Sequence, residues 1–190
     1  MTAIQLLWFI LGTSWAILEC FIAFKTRVGV TSNAQNRYRS EQLIWLVVIV
    51  ALFCALWFKG LHLLPLPFNP IVRQTLAVLL FSSGFVLRAC AVLTLRQFFS
   101  TSVTIQDQHK LIQIGPYQRI RHPAYTGLLL SFCGAGIGMG DVLALIVLVI
   151  PIIYVLLQRI QVEEQWLSAH FGERYIDYSG QTQKLIPWFY

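Results

Sequence analysis

Charged residues are scarce in this sequence, and acidic ones are the scarcest. Of 190 residues, 12% are charged and only 8 are Asp or Glu, whereas soluble domains carry about 25% charged residues. Apolar residues make up 57% of the chain. This balance excludes an ordinary soluble domain and a disordered chain, and it indicates a membrane protein.

Paired cysteines and common catalytic motifs are also missing. The four cysteines each stand alone inside an apolar run, which excludes a disulfide framework and a cysteine-based metal site. They are Cys20, Cys54, Cys90 and Cys133. No phosphate-binding loop, G-x-S-x-G turn or H-E-x-x-H helix occurs.

The first apolar stretch follows no basic segment and is about 22 residues long, so we expect a retained span and not a cleaved signal peptide.

Apolar runs of membrane-spanning length recur along the chain. A spanning helix needs about 20 mostly apolar residues, and residues 3–24, 43–64 and 71–95 satisfy this requirement. Two shorter apolar runs, 125–137 and 142–157, flank a Gly-Met-Gly-Asp turn, which predicts a helical hairpin. We therefore expect an all-α integral membrane protein with about five transmembrane helices.

The chain is predicted to form a single domain over residues 1–190. Three N-terminal spans occupy residues 1–95, and a more polar half over 96–190 contains the hairpin 125–157 and a tail that opens as an amphipathic helix. The arms of the hairpin are short for the ~30 Å hydrocarbon core. They are expected either to extend into their polar flanks or to sit towards one face of the membrane.

The basic residues predict the orientation. The loop after the first span, the stretch 96–124 and the tail together carry eleven Lys and Arg, whereas the other side carries only Lys59 and Arg73. By the positive-inside rule, the N-terminus is then outside and the C-terminus cytoplasmic. Because the basic residues cluster between apolar runs, they indicate orientation and not nucleic-acid binding.

The densest group of chemically useful residues lies between residues 109 and 127. Two histidines, two tyrosines, several cations and a Gly-Pro turn precede an apolar helix, and Pro123 suits the first helical position. Either Arg119, Arg121 and the tyrosines form an interfacial anchor, or the group lines a binding site.

A second group follows the last apolar run. Arg159 and Glu163 are four residues apart and share a helix face. They form either a surface ion pair or part of a cavity in which Arg159 grips a carboxylate.

Two further features have structural interpretations. Arg88 lies within the third span, where an ionised side chain is costly and is a candidate for function; alternatively, it is near enough to the end of the span for the side chain to snorkel to the interface. The glycines between 134 and 140 fit close helix packing through small residues.

The order of these motifs resembles a known family. Gly115-Pro116-Tyr117, the run from Arg121 to Gly127 (R-H-P-A-Y-T-G), the hairpin, Glu163-Glu164 and the segment from Phe171 to Tyr175 (F-G-E-R-Y) occur in that order. This half of the chain is similar to the isoprenylcysteine carboxyl methyltransferase family, which includes short prokaryotic members.

The resemblance implies that residues 96–190 are a catalytic half with a pocket for S-adenosylmethionine (SAM) on the cytoplasmic side, and S-adenosylhomocysteine as product. The implied cofactor contacts are His109, Lys110, Leu111, Ile112, Tyr117, His122, Pro123, Ala124, Tyr125 and Glu163. Arg159 corresponds to the position that holds the acceptor carboxylate. No metal is implied.

The implied function is carboxyl O-methylation of an isoprenylcysteine-like or other lipophilic acceptor at the membrane, with membrane lipid and a prenylated or small lipophilic acceptor as partners. Three alternatives stay open. Related halves occur in phospholipid N-methyltransferases and, more distantly, in NADPH-dependent sterol-type reductases, and a non-enzymatic adaptor with a decayed pocket is the third.

Overall fold

The computed structural model of the protein describes residues 1–25, 35–95 and 111–186. Helices make up the regular structure in these ranges, which confirms the predicted all-α class. In chain order they are α1 (Ala3–Lys25), α2 (Gln35–Leu61), α3 (Pro70–Leu95), a 3-10 turn (Gly115–Gln118), α4 (Pro123–Met139), α5 (Val142–Phe171) and α6 (Glu173–Gln181).

The helix lengths fit a multi-pass membrane protein. Four helices of the described chain, α1, α2, α3 and α5, are long and apolar enough to cross a bilayer. The 17 residues of α4 extend about 25 Å, slightly less than the hydrocarbon core. The expected number of about five crossings is met when α4 is counted with the four longer helices.

The second arm of the hairpin is longer than the apolar run suggests. α5 continues without a break to Phe171, although the apolar run ends at Leu157. Of the two expectations for the short arms, extension into the polar flank is confirmed for this arm: the helix expected to open the tail at Gln158 is the last part of α5. Because Gln, Arg and Glu are good helix formers, the polarity changes there while the helix continues. Its 30 residues extend about 45 Å, so α5 is longer than the bilayer core is thick.

The hairpin turn and the α2–α3 loop form one end of the helix bundle. Gly140 ends α4 with a φ of +83°, a conformation that glycine adopts without strain. Asp141 is fully buried and accepts hydrogen bonds from the backbone N–H groups of Ala144 (3.1 Å) and Leu64 (2.9 Å). One carboxylate therefore caps α5 and attaches the neighbouring loop.

Glycines bring the backbones of α3 and α4 into contact. A Cβ atom on Gly84 would lie 2.5 Å from the carbonyl oxygen of Gly127, and one on Gly134 would lie 2.6 Å from the backbone of Ala77 and Phe81. Ser131 lies in the same seam and donates a hydrogen bond to the carbonyl of Phe81 (3.2 Å). The predicted packing role of Gly134 is confirmed.

The remaining glycines of the predicted packing motif face other helices. Gly136 lies against Leu145 of α5, and Gly138 lies against Trp8 of α1. These contacts confirm their packing role, whereas Gly140 serves as the helix terminator described above.

Arg88 does not snorkel to the interface. Its side chain is buried and pairs with Glu19 of α1 through two hydrogen bonds, of which the Nη2–Oε2 bond measures 2.9 Å. The prediction was wrong because it considered α3 alone, and the partner carboxylate is supplied by a helix 69 residues away in sequence.

We expect Gly134→Ala to destabilise the protein by about 1–3 kcal/mol, because the added methyl group would press against the backbone of α3. Thermal unfolding in detergent measures the effect. Gly12→Ala is the matched control, since Gly12 is also helical but has open space around the corresponding position. Equal unfolding temperatures for the two variants would contradict the proposed contact.

Candidate active site

The first turn of α4 brings a histidine and a tyrosine together. His122 is the N-cap residue of α4, and its carbonyl oxygen accepts hydrogen bonds from the backbone N–H groups of Tyr125 (3.0 Å) and Thr126 (3.1 Å). Pro123 follows at the first helical position, where its missing N–H costs nothing. The rings of His122 and Tyr125 then stack with centroids 5.7 Å apart and planes 22° apart.

A tyrosine hydroxyl joins the predicted cation and carboxylate of α5. Arg159 Nε donates to the hydroxyl oxygen of Tyr125 at 2.7 Å, and this hydroxyl donates to Glu163 Oε2 at 2.9 Å. Arg159 is 8% exposed, whereas the Glu163 side chain is 31% exposed. The two residues are thus joined through the Tyr125 hydroxyl of α4, and Arg159 is buried rather than on the surface.

His122 faces both glutamates of α5. Its Nδ1 lies 3.9 Å from Glu163 Oε1 and its Nε2 lies 3.5 Å from Glu164 Oε1. Both distances exceed those of a good hydrogen bond. Nε2 is buried and has no hydrogen-bond partner within the described residues. The ring therefore presents Nδ1 towards the more accessible carboxylate, Glu163, and the buried Nε2 towards Glu164.

Glu164 belongs to a different cluster from its neighbour in sequence. It accepts a hydrogen bond from Arg121 Nε at 2.9 Å, and Lys184 Nζ lies 3.3 Å from its second oxygen. Arg121 also donates through Nη1 to the carbonyl oxygens of Ser179 (2.6 Å) and Thr182. Arg121 thereby satisfies carbonyls at the C-terminal end of α6, and is not simply an interfacial anchor.

The segment after α6 lies along the entry to α4. Backbone N–H groups of Arg121 and His122 donate to the carbonyls of Gln183 (2.8 Å) and Lys184 (3.1 Å). The Thr126 hydroxyl donates to the carbonyl of Leu185 at 2.6 Å. The tail therefore covers the backbone next to His122.

Three tyrosines complete this part of the molecule. Tyr117 is buried against Ala91 and Ala124, and its carbonyl accepts a hydrogen bond from the Tyr178 hydroxyl at 2.7 Å. Burial raises the pKa of Tyr117 well above its usual value and the pKa of Tyr178 to about 12, so both stay protonated at neutral pH. The buried Tyr175 hydroxyl has no hydrogen-bond partner in the described part of the chain.

Most of the predicted site residues lie together. The first turn of α4 and one face of α5 supply Tyr125, His122, Arg159 and Glu163, together with the backbone of Pro123 and Ala124. Tyr117 adjoins Ala124. Leu111 and Ile112 are half-buried and lead into the 3-10 turn. His109 and Lys110 lie outside the described residues.

Four residues beside the candidate site were not among the predicted site residues: Glu164, Lys184, Tyr175 and Tyr178. Glu164 was visible as half of a Glu-Glu pair, and Tyr175 and Tyr178 are spaced to share a face of α6. That face is buried, but only the tertiary structure shows which residues cover it.

Family membership of the chain follows from its similarity to known proteins. The profile of the phospholipid methyltransferase family matches residues 72–174, which is just over half of the chain and nearly all of α3 to α5. The chain belongs to the phospholipid methyltransferase family. The matched region includes the first turn of α4, Arg159 and both glutamates.

The curated relatives confirm the predicted kinship with isoprenylcysteine methyltransferases. Protein-S-isoprenylcysteine O-methyltransferase B of Arabidopsis thaliana is 29% identical over 106 residues, covering 55% of this chain and 54% of the relative. The probable enzyme of Oryza sativa subsp. japonica is 32% identical over 106 residues, covering 55% and 56%. The Schizosaccharomyces pombe enzyme is 29% identical over 184 residues, covering 90% and 78%. The chain spans about half the length of the first two relatives.

A solved structure supports the same fold. The eukaryotic intramembrane Ras methyltransferase ICMT aligns with a TM-score of 0.58 at 24% identity, covering 84% of this chain and 54% of that one. The coverage of this chain extends well beyond the 103 residues between positions 72 and 174 that the family profile matches, so the likeness includes helices upstream of α3.

We expect Arg121→Ala to release the tail, because it removes the donors that bind the carbonyls after α6. Hydrogen–deuterium exchange of peptides covering residues 176–186 should rise several-fold. Arg119→Ala is the matched control, since Arg119 is exposed and two residues away. Unchanged exchange in Arg121→Ala would show that the backbone contacts alone hold the tail.

Proposed function

We propose that this protein is a SAM-dependent methyltransferase that methylates the carboxylate of a lipophilic acceptor at the membrane. The observation that carries the proposal is the hydrogen-bonded chain from buried Arg159 through Tyr125 to partly exposed Glu163. It joins a candidate acceptor-binding cation to a candidate cofactor-binding anion. Membership of a methyltransferase family and the named relatives support this reading.

The residues present fit the proposed cofactor. A SAM molecule carries a sulfonium, an ammonium group and ribose hydroxyls, for which an accessible carboxylate is a suitable partner. Glu163 supplies that carboxylate, and His122 adjoins it with Nδ1 3.9 Å from Glu163 Oε1. When bound, SAM provides a methyl group activated by the positive sulfur. We propose that the first turn of α4, Tyr117, residues 109–112 and Glu163 form the cofactor pocket.

Arg159 is the proposed acceptor-binding residue. Its side chain is buried, and its Nε–H donates a hydrogen bond to the Tyr125 hydroxyl. This hydrogen bond restricts the orientation of the guanidinium. A guanidinium in a fixed orientation can bind a carboxylate through two parallel hydrogen bonds. The acceptor carboxylate is already ionised near pH 7, so no general base is needed. The protein would act by positioning the reactants and excluding water.

The membrane spans explain why the acceptor should be lipophilic. The site lies at the end of the bundle opposite the hairpin turn, and α5 carries both Arg159 and the membrane-spanning apolar run. An acceptor with an isoprenoid-like tail would place that tail among the spans and its carboxylate at Arg159. A prenylated protein and a small lipophilic acid both meet this description.

Arg159→Lys should lower the methylation rate about 100-fold, because lysine cannot present two parallel donors and small misplacements of reactants are costly. It should leave the Kd for labelled SAM nearly unchanged. Glu163→Gln should instead raise that Kd about tenfold or more, since a charge-assisted hydrogen bond is lost. Arg174→Lys and Glu173→Gln, both exposed on α6, are the matched controls.

Binding of SAM that is insensitive to Glu163→Gln would contradict the cofactor site. Tight binding of NADPH without binding of SAM would overturn the methyltransferase proposal and favour a reductase.

The family match raises a second candidate, N-methylation of a phospholipid amine. Membranes containing the protein, incubated with methyl-labelled SAM, distinguish the two reactions. A methyl ester releases labelled methanol in mild base, whereas an N-methyl group is stable. We expect a base-labile product because Arg159 is complementary to a carboxylate; a wholly base-stable product would establish the second candidate.

We also propose that the site faces the cytoplasm, with the N-terminus outside, because eleven of the Lys and Arg residues flank this side of the spans. A reporter fused after Tyr190 should therefore be active in the cytoplasm. A reporter active only outside the cell would contradict this topology.

A further inference from the structure

A buried ion pair joins α1 to α3 near the candidate site. Glu19 and Arg88 are each about 6% exposed, and they lie in two apolar helices long enough to span a membrane. Arg88 binds the two carboxylate oxygens through Nε and Nη2. Ionised side chains within spans are costly and commonly serve function.

The guanidinium of Arg88 makes a third hydrogen bond, to α4. Its Nη1 donates to the carbonyl oxygen of Ala124 at 3.1 Å. Ala124 lies between Pro123 and Tyr125 in the first turn of α4, so this hydrogen bond reaches the turn that carries the site. A Cβ on Gly127 would lie 2.6 Å from the backbone nitrogen of Arg88, which shows how closely the two helices approach here.

The ion pair is not the sole contact between α1 and the described part of the bundle. At the far end of α1, Trp8 Nε1 donates to Gln74 at 2.8 Å, and Gln74 donates to the carbonyl of Gly138 at 2.9 Å. Between the two ends, Trp15 packs edge-on against Phe81 and Phe132. The ion pair is thus one of several contacts of α1, and what distinguishes it is the further hydrogen bond from Arg88 to Ala124.

We propose that Arg88 is a positioning residue for methyl transfer: held in one orientation by Glu19, it fixes the Ala124 carbonyl and thereby the turn that presents His122 and Tyr125. The bidentate pairing restricts the guanidinium to one plane, and the remaining amino group then points at Ala124. Glu19 lies outside the segment matched by the family profile. The first span would therefore contribute to the site indirectly, through Arg88.

This inference rests on the proposed function for its catalytic consequence, but its structural part is testable alone. In Glu19→Gln and Arg88→Met, amides in the first turn of α4 should exchange with deuterium at least fivefold faster than in the unaltered protein. The Kd for SAM should rise at least fivefold. Glu19→Asp, which keeps the charge, should retain most of the affinity.

Trp8→Phe is the matched control, because it breaks the attachment of α1 at the end remote from the site. It should change neither the exchange of the first turn nor the Kd. The double variant Glu19→Gln/Arg88→Met removes both charges, and it should recover thermal stability while the Kd stays high. This separates positioning from a general loss of folding.

Recovery of both stability and SAM affinity in the double variant would overturn the proposal. So would equal effects of Trp8→Phe and Arg88→Met on the first turn. If the unaltered protein binds no SAM, the proposed function fails, whereas hydrogen exchange still decides whether Arg88 orders the turn.

Discussion

α3 and α4 approach so closely that a Cβ on Gly84, Gly127 or Gly134 would lie within 2.6 Å of atoms in the opposite helix. This contact places the start of α4 beside the last turns of α3, where Arg88 meets Ala124 and where Ala91 packs with Tyr117. α5 then returns antiparallel to α4 through the short turn capped by Asp141. The site is therefore assembled at the end where α3 finishes and α4 begins.

Two adjacent glutamates, Glu163 and Glu164, contact different groups at this end of the bundle. Successive helical residues point about 100° apart, so Glu163 lies towards Tyr125 and Glu164 towards Arg121 and Lys184. The first remains partly exposed and is available for a ligand, whereas the second is held by cations that attach the tail. His122 lies within 4 Å of both. It thus connects the proposed cofactor site with the segment that covers it.

Much of the candidate site could be predicted from the sequence, because its residues are close in sequence or on one helix face. The run from His122 to Tyr125 forms a single turn, and Arg159 and Glu163 are one turn apart on α5. Their meeting depends only on the hairpin, which the two apolar runs and the intervening turn predicted. In contrast, the partners of Arg88 and Arg121 are 69 and 43 residues away, and no local pattern specifies such contacts.

The sequence by itself determined the membrane class, the helical hairpin and the grouping of most candidate site residues, because hydropathy, turn residues and spacing along a helix are local properties. Only the tertiary structure decided that α5 runs unbroken into the polar region, that Tyr125 bridges Arg159 and Glu163, and that Arg88 is paired and buried. Those features depend on which helix faces are opposed. That choice follows from backbone contact at glycines and from burial of charges with their partners, neither of which can be read from a single helix.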